Sequence, residues 1–103
     1  MDSNKRQKLE ASGWMVGDAS EFLQLTTEEA YHVELRMRLS TAIRTQRQRQ
    51  RLTQTSIAER IGSSQSRIAK AESGDPSVSM DLLLKAFFAT GATYEEFVSV
   101  IAE

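Results

Sequence analysis

Residues 54–73 read QTSIAERIGSSQSRIAKAES, and the placing of small, flexible and branched residues within them decides the fold. Ala58 stands where two short helices that cross with close backbones need a small side chain. Four residues later, Gly62 supplies the positive φ of a tight turn. Six beyond that, Ile68 joins Ile57 and Ile61 in filling the space between the helices and the core. The punctuation agrees with this reading. Thr53 and either Ser63 or Ser64 are N-cap types at the two helix starts, and Gly62 and Gly74 are where left-handed residues would end them.

A small residue, then Gly, then a branched apolar residue is the pattern of a helix-turn-helix, and the flanks are helical too. Upstream, Thr26 or Thr27 caps a long helix running to about Gln50, with Glu28 and Glu29 in its first turn beside the positive helix end. Tyr31, Leu35, Leu39, Ala42, Ile43 and Gln46 form one stripe at helical spacing, and Ala30, Val33 and Met37 a second. Downstream, Ser79 and Asp81 open a helix carrying Leu82, Leu83, Ala86 and Phe87 that Gly91 ends. Thr93 and Glu96 form a capping box for a last helix striped by Tyr94, Phe97, Val98 and Ile101. No alternating apolar and polar run bounded by turn signals occurs, so the expected class is all-α.

The chain has 103 residues, enough for one domain, and no Cys, so packing must supply its stability. The absence of Cys suits a reducing cytoplasm, and no apolar run approaches the ~20 residues of a membrane span. The net charge of −1 conceals a sharp segregation. Between Arg36 and Lys70 there are nine cations (Arg36, Arg38, Arg44, Arg47, Arg49, Arg51, Arg60, Arg67 and Lys70) against the single anion Glu59. That segment carries +8, which leaves −9 for the remainder. A cationic surface of this density suits a polyanion, with acidic flanks limiting non-specific association.

In Leu52-Thr53-Gln54, Ile57-Ala58-Glu59-Arg60-Ile61-Gly62, Ser64 to Glu72 and Ser73-Gly74, the chain resembles the Cro and phage-repressor-like helix-turn-helix regulators of the xenobiotic-response-element type. The resemblance implies a five-helix lambda-repressor-like domain over roughly residues 39–102, with an N-terminal helical extension. It also implies that Gln54 holds a phosphate, that the helix starting at Ser64 enters the major groove of double-stranded DNA, and that Arg47 pairs with Glu72 inside the domain. One departure stands out. Ser56 occupies the position where the family often has an acidic residue, which removes half of the second helix's capping box.

Helix geometry identifies the side chains that face outward. If Ile68 points into the core, steps of 100° put Ser66, Ala69, Lys70 and Ser73 on the opposite face, with Gln65 at the leading tip. Gln65 suits adenine N6 and N7, Lys70 suits guanine O6 or N7, and Ala69 suits a thymine methyl. Arg67 and Ser64 are better placed for phosphate. One recognition helix reads only a few base pairs, so a homodimer on two half-sites of an operator is expected. Leu84, Phe88 and Val100 are candidates for its surface, though core burial is the commoner fate of such residues.

The expected organisation is therefore a mobile basic arm and short helical extension over residues 1–25, followed by a DNA-binding domain over 26–103 with its motif at 54–73. In the extension, Asp18 and Glu21 form a cap ahead of Phe22, Leu23 and Leu25, and Trp14, Met15 and Val16 form either a lid or a docking surface for a partner. A helix-turn-helix so extended resembles HigA-type antitoxins, which bind a RelE-like toxin and repress their own operon. Repressor and antitoxin are thus both expected readings. An enzyme is not, and neither is a cofactor or a metal: His32 is the only His, and no nucleophile-base spacing, Gly-rich phosphate loop or metal-ligand spacing occurs.

Overall fold

A computed structural model describes residues 25–102. The arm, the Asp18–Glu21 cap and the Trp14–Val16 patch lie outside the described residues. Within them are five helices and no strand: α1 (Thr27–Arg49), α2 (Gln54–Ile61), α3 (Gln65–Ser73), α4 (Met80–Ala89) and α5 (Tyr94–Ala102). This is the all-α class that was expected. No helix among the described residues is long and apolar enough to cross a membrane.

The chain divides into two compact units, with residues 25–35 in one and 36–102 in the other. In the first, Thr26 is the cap that opens α1. Its backbone N–H donates to Glu29 Oε1 at 3.1 Å and its hydroxyl accepts from the Glu29 N–H at 3.1 Å, a reciprocal capping box. Ala30 and Glu34 are buried, whereas Tyr31, expected on the core stripe, is 53% exposed. Helix geometry explains the correction. The buried face of this unit carries Ala30 and Glu34, and at 100° per residue Tyr31 is turned by about 100° from Ala30.

In the second unit, the core is built from Leu39, Ala42 and Ile43 of α1, Ile57 and Ala58 of α2, Ile68 and Ala71 of α3, and Leu82, Leu83, Ala86 and Phe87 of α4, with Val78 from the intervening loop. Each of the three short helices α2, α3 and α4 is started by a side-chain oxygen. Thr53 accepts from the Ser56 N–H, Ser64 from the Arg67 N–H and Ser79 from the Leu82 N–H. Gln46, expected among the apolar positions, is buried and donates to Glu96 Oε2 at 2.6 Å. Met37 is partly exposed. A side chain at Gly74, whose φ is +80°, would come within 3.2 Å of the Met37 sulfur, so close approach and backbone conformation both call for glycine there.

The stripe on α5 is a second correction. Thr93 and Glu96 form the expected capping box, at 3.0 and 3.2 Å. Yet Tyr94 is 79% exposed, Val98 and Ile101 are exposed as well, and only Phe97 of the four is partly buried. Phe97 stacks against Phe87 and Phe88 with ring centroids 6.0 and 5.8 Å apart. Phe97, the partly buried Val100 and the bonds of Gln46 to Glu96 and Arg38 to Val100 O hold α5, which leaves the rest of its apolar stripe facing out. Phe88, for which burial was the expected fate, also reaches the surface, 5.7 Å from the Tyr94 ring, while Leu84 and Val100 are partly buried.

Candidate nucleic-acid interface

The α2–α3 pair is built as its spacing predicts. Ile57 and Ile68 are fully buried, Ala58 is buried at the crossing, and Gly62 ends α2 at φ +66°. In the turn, the Ser63 N–H donates to Ala58 O at 2.8 Å, so the reversal follows directly from the left-handed residue. Ile61 is partly buried at the edge of this packing.

Beneath the pair lies a bonded chain of four side chains. Arg47 Nε donates to Glu72 Oε2 at 2.6 Å and Arg47 Nη2 to Glu72 Oε1 at 2.9 Å, a two-point pair between α1 and α3. A third donor, Arg47 Nη1, reaches Leu52 O at 3.0 Å and fastens the turn between α1 and α2. The Glu72 side chain is only 4% exposed, and its carboxylate holds the guanidinium above the ordinary arginine range. Glu72 Oε1 also accepts from Gln54 Nε2 at 3.1 Å, and Gln54 Oε1 accepts from Gln65 Nε2 at 2.6 Å. The network therefore starts at a buried ion pair and ends at the outer tip of α3.

The expected site residues fall into three groups in the structure. Gln65, Ser66, Arg67 and Lys70 are exposed on α3, and Ala69 is partly buried among them. Gln54, expected at a phosphate, is partly buried and is held by Glu72 and Gln65. Ser64 is the α3 cap, and its hydroxyl also lies 3.3 Å from the Ser66 hydroxyl. Ser73 points outward, but its hydroxyl donates to Lys70 O at 3.0 Å and is thereby tied to its own helix.

The structure also sorts the nine cations. Arg36 donates to Val78 O and, at 3.2 Å, to Asp75 O, anchoring the loop after α3. Arg38 donates to Val100 O at 3.4 Å, and Arg60 to Ala89 O at 2.7 Å, where it meets the negative end of α4. With Arg47, that makes four guanidiniums spent on the fold. Arg44, Arg49, Arg51, Arg67 and Lys70 remain exposed at the end of α1, the following turn and α3. Charge counting detects the cluster and cannot make this division, because a backbone carbonyl acceptor carries no charge signature in the sequence.

Arg51 itself was not anticipated as a special position. It has φ +58°, the only positive φ at a non-glycine among the described residues. Its N–H donates to Gln48 O and that of Leu52 to Arg47 O, the paired bonds of a left-handed helix ending. Glycine is the low-cost residue at such a place. Here a long cation occupies it, next to Leu52-Thr53-Gln54.

A groove-sized helix with an outward polar face, an amide held from behind and exposed cations around it is an arrangement for a negatively charged duplex. The profile of the Helix-turn-helix family matches residues 43–95, just over half the chain, and includes α2, α3, α4 and the end of α1. The protein belongs to this family, with the Cro and phage-repressor type of helix-turn-helix, and is a DNA-binding transcription regulator. The family's domain is a DNA-binding, non-enzymatic one. No curated protein and no solved structure matches the chain.

Proposed function

We propose that the protein is a repressor that binds a two-fold DNA operator as a homodimer, with α3 of each protomer in a major groove. Gln65, Ser66, Ala69 and Lys70 face base edges, while Gln54, Ser64 and Arg67 face phosphates. The observation that carries the reading is the bonded link from Glu72 through Gln54 to Gln65, which holds a hydrogen-bonding amide in place at the exposed end of α3. A side chain with no partner to meet gains nothing from such support. Two Ser and one Ala leave this face chemically sparse, so phosphate contacts supply much of the affinity.

Dimerisation follows from the shortness of the readout. A two-fold pair of α3 helices one DNA turn apart doubles the base pairs read. The surface assigned to the second copy is the outward stripe of α5, Tyr94, Val98 and Ile101 at i, i+4 and i+7, continued by Phe88. Selection from a randomised duplex library with the purified chain tests the whole reading. The expected product is a two-fold symmetric sequence with half-sites about 10 base pairs apart. Recovery of no preferred sequence overturns it.

A further inference from the structure

Resting on that reading, we infer that Glu72, which is too deeply buried to touch DNA, is a positioning residue that sets which base Gln65 accepts. The ground is the direction of each hydrogen bond in the network. A carboxylate has only acceptors, whereas an amide has a donating end and an accepting end. Both Glu72 oxygens already accept from Arg47. Gln54 must therefore turn its NH₂ towards Glu72, as it does at 3.1 Å, and its carbonyl oxygen away. That oxygen sits 2.6 Å from Gln65 Nε2, so Gln65 in turn must donate to it. One acceptor-only group thus orients two amides in series.

The orientation leaves Gln65 with one remaining N–H and its carbonyl oxygen. Adenine presents one acceptor and one donor, N7 and the N6 amino group, and matches both. Guanine presents two acceptors, N7 and O6, and would set the Gln65 carbonyl against an oxygen or a ring nitrogen. The relay therefore commits Gln65 to adenine and against guanine. If position 72 were an amide, it could donate to Gln54 Oε1 and reverse the series. Gln54 would then donate to the Gln65 carbonyl, and both N–H groups of Gln65 would be free for guanine.

The experiment uses the full chain and a duplex selected by the wild type, with the base read by Gln65 identified as the position at which Gln65→Ala loses preference. Fluorescence anisotropy then compares that duplex with the same duplex carrying G·C in place of A·T. Wild type is expected to prefer A·T by about tenfold or more. In Glu72→Gln the preference is expected to fall to about threefold or less. Arg47→Lys, which keeps a cation beside an acceptor-only Glu72, is expected to melt lower and keep the wild-type ratio. A merely structural role for Glu72 would weaken both duplexes equally. If Glu72→Gln fails to fold, Gln54→Leu, which leaves the Arg47–Glu72 pair in place, carries the same expectation of a reduced ratio. An unchanged ratio in whichever of these variants folds overturns the relay, as does a wild-type preference for guanine at that position. A wild type that selects no sequence instead overturns the DNA-reading proposal itself.

Discussion

The α2–α3 pair and the α4–α5 pair are made with the same devices and finish with opposite surfaces. In both, Ser or Thr caps short helices, branched or aromatic residues fill the inside, and one side faces outward. On α3 that side carries Gln65, Ser66, Arg67 and Lys70; on α5 it carries Tyr94, Val98 and Ile101. Capping and core packing place the helices without specifying what they meet. Partner choice resides in the outward residues and in what supports them from behind, and here only α3 has a buried ion pair at its back.

The largest effect that would expose this difference is on stability. Arg47→Ala leaves Glu72 buried without its cation and is expected to cost about 3–5 kcal/mol in chemical denaturation. Arg49→Ala, at an exposed position two residues on, should stay within about 0.5 kcal/mol. Equal costs would mean that the support behind α3 is not the ion pair. Next in size is a surface change on α5. Val98→Glu puts a charge into the outward apolar stripe, and sedimentation should show a shift from dimer to monomer with little change in melting temperature. An unchanged dimer would remove α5 from the interface.

Arg51→Gly sharpens the comparison from the cation side. It relieves a left-handed conformation that costs a non-glycine residue roughly 1–2 kcal/mol and frees the unfolded chain slightly, so stability should rise by up to about 1 kcal/mol. If Arg51 also meets phosphate, DNA affinity should fall, and the log–log salt slope should shallow by about 0.9. Higher stability with unchanged salt dependence would leave Arg51 outside the interface.

The smallest effect concerns acid. The Thr93 backbone N–H and the Gln46 amide hold Glu96 below the usual carboxylate range, as the Thr26 backbone and side chain do for Glu29. A carboxylate whose folded-state pKa is depressed stabilises the fold above its unfolded pKa and loses that contribution as pH falls through the folded one. Stability should therefore be flat at neutral pH and begin to decline below about pH 5. Glu96→Gln should flatten part of that decline in pH-dependent melting.

Much of this was legible in the residues. Ala58, Gly62 and Ile68 specify the crossing, Thr53, Ser79 and Thr93 cap the helices they were expected to cap, and of the two candidates Ser63 and Ser64 it is Ser64 that caps α3. These features are local, so spacing reveals them. The Gln54–Gln65 bond and the bonds of Arg36 and Arg60 to Val78 and Ala89 span 11, 42 and 29 residues. They depend on tertiary placement that no periodicity encodes. Tyr94, Val98 and Ile101 misled for a related reason: a helical stripe shows which residues share a face, but not whether this chain or another covers it.

The central claim is that the outward face of α3 reads sequence while the cations around it supply affinity. One titration tests it most directly: the selected duplex and a scrambled duplex of the same length, against wild type and the Gln65→Ala/Lys70→Ala double variant, across a salt series. Wild type should prefer the selected duplex at every salt concentration. The double variant should bind both duplexes alike while keeping its melting temperature, and affinity for both should fall steeply as salt rises. A double variant that still discriminates as wild type does would contradict the account.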